Sequence, residues 1–297
     1  MATLLGWSLV GVVLRATGID AATTARDLTR LVLGLTLPCL VFAAVHAASP
    51  TRADLVLPAL AWGMSIAALA GGDALARALK LPPARAGAFV LALAFGNTTY
   101  LGYPIVGGLF PPPQPQLALA ILFDQLGATF AVTTLGAAYA GLASGRAPSV
   151  RQLATRLLVF PPLWALALGF LLHGLALPPA FASGLMAIGG FTVPLMLVTL
   201  GLAAPLAGWR EGGGLVLAIA AVKLVAMPLA VFAAVTALGL PAPHRQAAVL
   251  EAAMPTMFYA LALAVACDLD AALVGRAIVA TTAASAIALP CWIALVR

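Results

Sequence analysis

Long apolar runs, parted by short basic or Pro/Gly-rich breaks, make up nearly the whole chain. A helix that crosses a bilayer core needs roughly 20 apolar residues. The runs predict ten spans, at about 2–15, 29–48, 53–72, 85–110, 116–142, 152–177, 181–206, 212–239, 245–267 and 272–296. The first is short, about 21 Å of helix at 1.5 Å per residue. Two spans are interrupted near half depth. Span four reads Phe95-Gly96-Asn97-Thr98-Thr99-Tyr100-Leu101-Gly102-Tyr103-Pro104, inside a stretch from Ala86 to Phe123 with no charged side chain. Span nine reads Ala252-Ala253-Met254-Pro255-Thr256. A bilayer core has no water to satisfy loose backbone groups, so broken helices persist there only around a cavity or inside packed protein. The two breaks therefore predict a binding site.

The chain also repeats itself. Leu35-Thr36-Leu37-Pro38-Cys39-Leu40-Val41 in span two matches Phe191-Thr192-Val193-Pro194-Leu195-Met196-Leu197 in span seven, and Asn97-Thr98 can be set against Pro255-Thr256 at nearly the same offset. Two halves of five spans, 1–145 and 146–297, follow from this. An odd number of spans makes the second half inverted in the membrane, and inverted repeats with discontinuous helices meeting at the midplane are a secondary-transporter signature. The fold predicted is all-α and integral to the membrane. Its two inverted five-helix repeats cross at spans four and nine.

Composition and charge sharpen this picture. Hydrophobic residues are 63% of the chain and charged residues 8%, which excludes an ordinary soluble domain. With the N-terminus outside, the inner connections hold Arg15, Arg26, Arg30, Arg77, Lys80, Arg85, Arg146, Arg151, Arg156, Arg210 and Arg276, and the outer ones hold Arg52, Arg245 and Arg297. This positive-inside bias predicts both termini outside a plasma (inner) membrane. The net charge of +6 is thereby accounted for, and no basic run with interleaved aromatics suggests nucleic acid. Cys39, Cys267 and Cys291 have no metal or disulfide spacing. His46, His173 and His244 form no ligand set, so no metal or cofactor is expected. No cleavable leader is apparent. The motif Phe110-Pro111-Pro112-Pro113-Gln114-Pro115-Gln116 reads as a stiff outer turn.

The candidate chemistry lies at the breaks. Asn97 carries both donor and acceptor at half depth and suits a substrate carboxylate or a freed backbone group; its structural alternative is a helix cap. The half-helices beginning after Thr99 and after Pro255 should present unpaired N–H groups and positive dipole ends, a natural anion site. Thr98, Thr99, Thr256 and Tyr259 are further hydrogen-bonding candidates, with helix-to-helix bonding as the alternative. Three ionisable residues fall within spans. Each costs roughly 2.5–3.5 kcal/mol on insertion scales and so is a functional candidate. Lys223 attracts an anion or pairs with a carboxylate as a structural lock. Asp124 is the partner for that lock or a protonation site. Glu251 snorkels or lines an outer vestibule.

Asn97-Thr98-Thr99-Tyr100-Leu101-Gly102-Tyr103-Pro104 resembles the crossover segment of the auxin efflux carrier family, which includes plant PIN proteins and prokaryotic permeases for malate, malonate and similar organic acids. Phe123-Asp124-Gln125, Pro194-Leu195-Met196-Leu197 with Gly201, and Ala253-Met254-Pro255 match the same pattern, so the resemblance runs the length of the chain. It implies a fold similar to that of bile-acid sodium symporters and sodium/proton antiporters. It implies a scaffold of spans 1, 2, 6 and 7, often the homodimer contact, and a moving core of spans 3–5 and 8–10. It adds Pro104 and Pro255 to the substrate-site candidates. The connector from Ala143 to Val150 is short, unlike the long loop of plant members, so auxin and loop regulation are not carried over.

The function expected is a permease that moves a small organic anion, a carboxylate, by alternating access of an elevator type, coupled to a proton, to sodium or to neither. A sodium-coupled bile-acid-like symporter is the alternative. A cation/proton antiporter would place an acidic pair at the crossing, where Asn97 and Pro255 stand instead. The metal, nucleophile-elbow and paired-aspartate motifs of intramembrane enzymes are missing, so an enzyme is not expected.

Overall fold

A computed structural model describes residues 2–48, 51–111, 115–145, 149–203 and 213–297. Arg146 and Arg210 of the inner connections, and residues 112–114 of the outer proline turn, lie outside the described residues. The described chain is helical throughout, with a single isolated antiparallel bridge, Gly96 to Thr256. We number the helices α1 (Ala2–Ala16), α2 (Ala21–Ala48), α3 (Arg52–Ala78), α4 (Pro83–Ala94), α5 (Tyr103–Leu109), α6 (Gln116–Ala143), α7 (Val150–Leu158), α8 (Pro161–Leu171), α9 (Pro179–Leu202), α10 (Gly213–Ala237), α11 (Ala242–Ala252), α12 (Phe258–Ala266) and α13 (Ala271–Val296). Six of these, α2, α3, α6, α9, α10 and α13, are long and apolar enough to cross a bilayer, and α4 and α8 are shorter apolar helices. The protein is integral to the membrane.

The expected span six is divided. Val150–Leu158 and Pro161–Leu171 are separate helices, because the prolines at 161 and 162 supply no N–H to continue the first and suit the opening turn of the second. The Trp164 indole takes the loose Leu158 carbonyl at 2.7 Å.

Residues group into two compact units. One comprises Met1–Asp54, Thr99–Ile121 and Leu158–Ala204; the other comprises Leu55–Thr98, Leu122–Leu157 and Pro205–Arg297. In the first unit α1 packs along the second half of α9, and α2 packs against α8 and α9. Gly11 meets the Val198 carbonyl and the Gly201 Cα so closely that a side chain at 11 would collide. Lipid tails are as apolar as the helices, so such close approach of backbones supplies the packing energy.

In the second unit α4 packs against α3, α12 and α13, and α11 against α10 and α13. Gly87 to Ala94 on α4 and Gln246 to Ala252 on α11 are all buried. Helices buried on every face are surrounded by protein, and these two lead into the breaks. Wide, π-type turns interrupt the long helices at Val32–Thr36, Phe123–Thr129, Val132–Gly136 and Val222–Ala226. Such turns free carbonyls and often mark functional positions. Pro228 shows the local cause. It has no N–H for the Leu224 carbonyl one turn earlier, and the indole of Trp292 on α13 donates to that oxygen at 2.8 Å. Trp62 on α3 likewise donates to the Leu126 carbonyl at 2.9 Å.

Candidate functional site

The second unit contains the span-nine break, the span-four break as far as Thr98, and all three ionisable residues singled out within the spans. α4 ends at Ala94, and the chain runs extended through Phe95, Gly96 and Asn97 before a wide turn, Thr98–Gly102, leads into α5. α11 ends at Ala252, and α12 begins at Phe258. The two unwound segments pair with each other. Asn97 N–H donates to the Pro255 carbonyl at 2.7 Å, and Met257 N–H donates to the Phe95 carbonyl at 3.0 Å. This pairing meets the demand that backbone groups in a membrane interior be satisfied within the protein.

Thr256 completes that repair. Its N–H donates to the Thr281 hydroxyl at 3.0 Å, and its hydroxyl donates to the Ala92 carbonyl, among the last of α4, at 2.9 Å. Thr281 in turn donates to the Ala277 carbonyl at 2.7 Å. Of the two roles expected for Thr256, these bonds are of the second kind, bonding between helices. Pro255 contributes its carbonyl to the same repair. Thr98 is also engaged, its hydroxyl donating to Asp124 Oδ1 at 2.6 Å. Thr99 is buried and has a partner of its own. Pro104 is buried in the first turn of α5, and Tyr259 is half-buried in the first turn of α12.

Asn97 is different. It is 2% exposed, and its Nδ2 has no hydrogen-bond partner. A buried amide without a partner costs about 1–3 kcal/mol, so an orphan donor at the centre of a repaired crossing points to a ligand.

The three charged residues behave in three ways. Asp124 lies on the wide turn Phe123–Thr129 and accepts from Thr98, from Thr129 at 3.0 Å and from the Gln125 amide at 2.9 Å. Sequence reasoning gives no sign of Gln125 and Thr129 as its partners. Their spacing of one and five residues from Asp124 signals contact only once the wide turn is known. Lys223 lies on the wide turn Val222–Ala226 and is fully buried. Its ammonium donates to the Met227 sulfur at 3.5 Å and makes none of the ion pairs among the described residues. The lock between Lys223 and Asp124 is therefore not formed. The wide turn directs the ammonium at the break instead, where a Cβ at Gly96 would stand 3.0 Å from Nζ. Glu251 is fully buried with neither carboxylate oxygen hydrogen-bonded. It does not snorkel, because α11 is enclosed by protein over its last two turns.

The site thus offers an amide donor and an unpaired ammonium, both set against residues 96 and 97. Such a pair suits a group with negative charge and hydrogen-bond acceptors. Among the described residues no group of three or more His, Cys, Asp and Glu could hold a metal ion.

The pattern of a family described as membrane transport protein matches residues 1–293. A protein of Methanothermobacter thermautotrophicus described as an uncharacterized transporter is 30% identical over 289 residues, covering 96% of this chain and 93% of its own. A second, of Methanocaldococcus jannaschii and described in the same words, is 28% identical over 220 residues, covering 72% of this chain and 69% of its own. The chain therefore belongs to the membrane transport protein family, the auxin efflux carrier-like group that its crossover residues resemble.

Proposed function

We propose that this membrane transport protein is a secondary transporter for a small organic anion, a mono- or dicarboxylate, whose negative group binds Asn97 and Lys223 at the crossing. One observation carries this reading. A buried, unpartnered amide and a buried, unpaired ammonium stand beside the same two residues of an unwound helix. Removing an ammonium from water costs several kcal/mol unless a counter-charge accompanies it, and a carboxylate supplies that charge together with acceptors for Asn97. Binding energy at a site like this is realised only with the ligand present.

The proposed topology is ten spans in two inverted halves with both termini outside the plasma membrane. In the proposed mechanism the second unit carries the site through the bilayer as the transport core, and the first serves as scaffold. Spans one and two and most of spans six and seven group into one unit, and spans eight, nine and ten, most of spans three and five and the first half of span four into the other, which supports this division. Residues after Thr98 in span four group with the first unit.

The test is counterflow of labelled mono- and dicarboxylates into proteoliposomes preloaded with the unlabelled acid. The wild-type protein should give saturable exchange. Asn97→Ala should abolish it, and Lys223→Met should weaken apparent affinity about tenfold or more, as expected for a lost charge-assisted hydrogen bond. Both variants should melt cooperatively, Lys223→Met at or above the wild-type temperature because it removes a buried charge. Wild-type exchange by Asn97→Ala would take that residue out of the site. Absence of exchange for every carboxylate by well-folded protein would overturn the substrate class.

A further inference from the structure

Glu251 is a second buried ionisable group that the crossing leaves without a partner. It sits in the last turn of α11, fully enclosed, with no partner for either carboxylate oxygen. Asp124, on a turn that packs against α11, has three side-chain donors around it. Lys223, the natural counter-charge, stands against Gly96 and Met227 instead.

The backbone beside Glu251 is equally short of donors. In a continuous helix the Ala252 and Ala253 carbonyls would accept from Thr256 and Met257. Those N–H groups go instead to the Thr281 hydroxyl and the Phe95 carbonyl, and Pro255 has none to offer. The C-terminal end of a helix also carries the negative end of its dipole. A buried carboxylate and freed carbonyls at such an end make an oxygen-rich, electronegative position. In transporters, unwound carbonyls and half-helix C-termini coordinate small cations.

We infer that Glu251, with the freed carbonyls of the span-nine break, binds a small monovalent cation of the sodium class that travels with the anion. This rests on the anion reading above. A cation at Glu251 offsets the negative charge that the anion brings into the crossing. The cation thereby favours anion binding, and by linkage the anion favours cation binding by the same factor.

The experiment measures melting temperature and carboxylate affinity of purified protein in sodium chloride and in choline chloride, at one pH and one ionic strength. In the wild type, sodium should raise the melting temperature without the carboxylate present and tighten carboxylate binding about tenfold. Glu251→Gln should lose both responses and bind the carboxylate as the wild type does in choline. Lys223→Met should lose carboxylate affinity and keep the sodium-dependent melting shift. A wild type that binds carboxylate with no sodium response overturns the cation site and leaves the anion reading standing; this arm holds even if Glu251→Gln fails to fold. A sodium response retained in Glu251→Gln, or stabilisation by acid in place of sodium, overturns the assignment to Glu251. A sodium shift in protein that binds no carboxylate overturns the anion reading alone.

Discussion

The breaks in spans four and nine solve one physical problem with different chemistry. Each exposes backbone groups in a membrane interior, and each lends the other a hydrogen bond, Asn97 N–H to the Pro255 carbonyl and Met257 N–H to the Phe95 carbonyl. The side chains then diverge. Thr256 spends both its N–H and its hydroxyl on the protein, whereas Asn97 keeps an amide nitrogen with no partner in a buried place. Two interruptions that look equivalent along the chain thus divide the labour, one holding the crossing together and the other leaving an amide donor without a partner, the donor that the proposed function assigns to the substrate. Asp124 and Glu251 divide similarly, the first tied by Thr98, Gln125 and Thr129, the second left with bare oxygens.

Substitutions at the two breaks should therefore fail in different ways. The largest effect expected on stability is from Thr256→Val, which strands the Ala92 carbonyl in a buried setting and introduces a methyl where the hydroxyl donated. It should cost about 2 kcal/mol, read as a lower melting temperature, with carboxylate affinity largely retained in the protein that stays folded. A Thr256→Val protein that melts like wild type and binds no carboxylate would reverse the roles assigned to the two breaks. Trp292→Phe comes next. It leaves the Leu224 carbonyl, freed by Pro228, without its indole donor and should cost about 1 kcal/mol. Because that carbonyl lies one residue after Lys223 on the same wide turn, anion affinity should fall slightly in step, and an unchanged melting temperature would show the indole to be dispensable there. The smallest structural change is Gly96→Ala. Its new methyl meets Nζ at 3.0 Å and the Met254 carbonyl at 3.2 Å, so the ammonium must withdraw by a few tenths of an ångström. Carboxylate affinity should drop several-fold with little change in melting temperature. Unaltered affinity would mean that the position of the ammonium over residue 96 is unimportant to binding.

The helical breaks were legible because Gly, Asn, Thr and Pro in the middle of an apolar run weaken a membrane helix, and an unwound segment survives at that depth only against protein or a cavity. Asn97 and the three ionisable residues stood out for a related reason, the high cost of polar groups at that depth. Their partners did not. That Lys223 would pass over Asp124 depends on the direction in which the wide turn at Val222–Ala226 aims its side chain, and no helical periodicity encodes that direction. That Thr256 would bond Ala92 and Thr281 depends on contacts across long separations in sequence. The division of span six at Phe160 was written in its paired prolines and was masked by the apolar residues on both sides.

Apolar run length, the placement of basic residues and the scarcity of polar groups settle, from local chemistry alone, that the chain is helical, lies in a membrane and contains two interruptions. Those properties follow from the cost of transferring each residue or unpaired backbone group into lipid, a cost that belongs to the segment itself. Which polar groups at the breaks are consumed and which are left over is a matter of packing. A hydroxyl at 256 becomes a brace, and an amide at 97 becomes a free donor, only because α4, α11 and α13 bring the Ala92 carbonyl and Thr281 to the former and no partner to the latter.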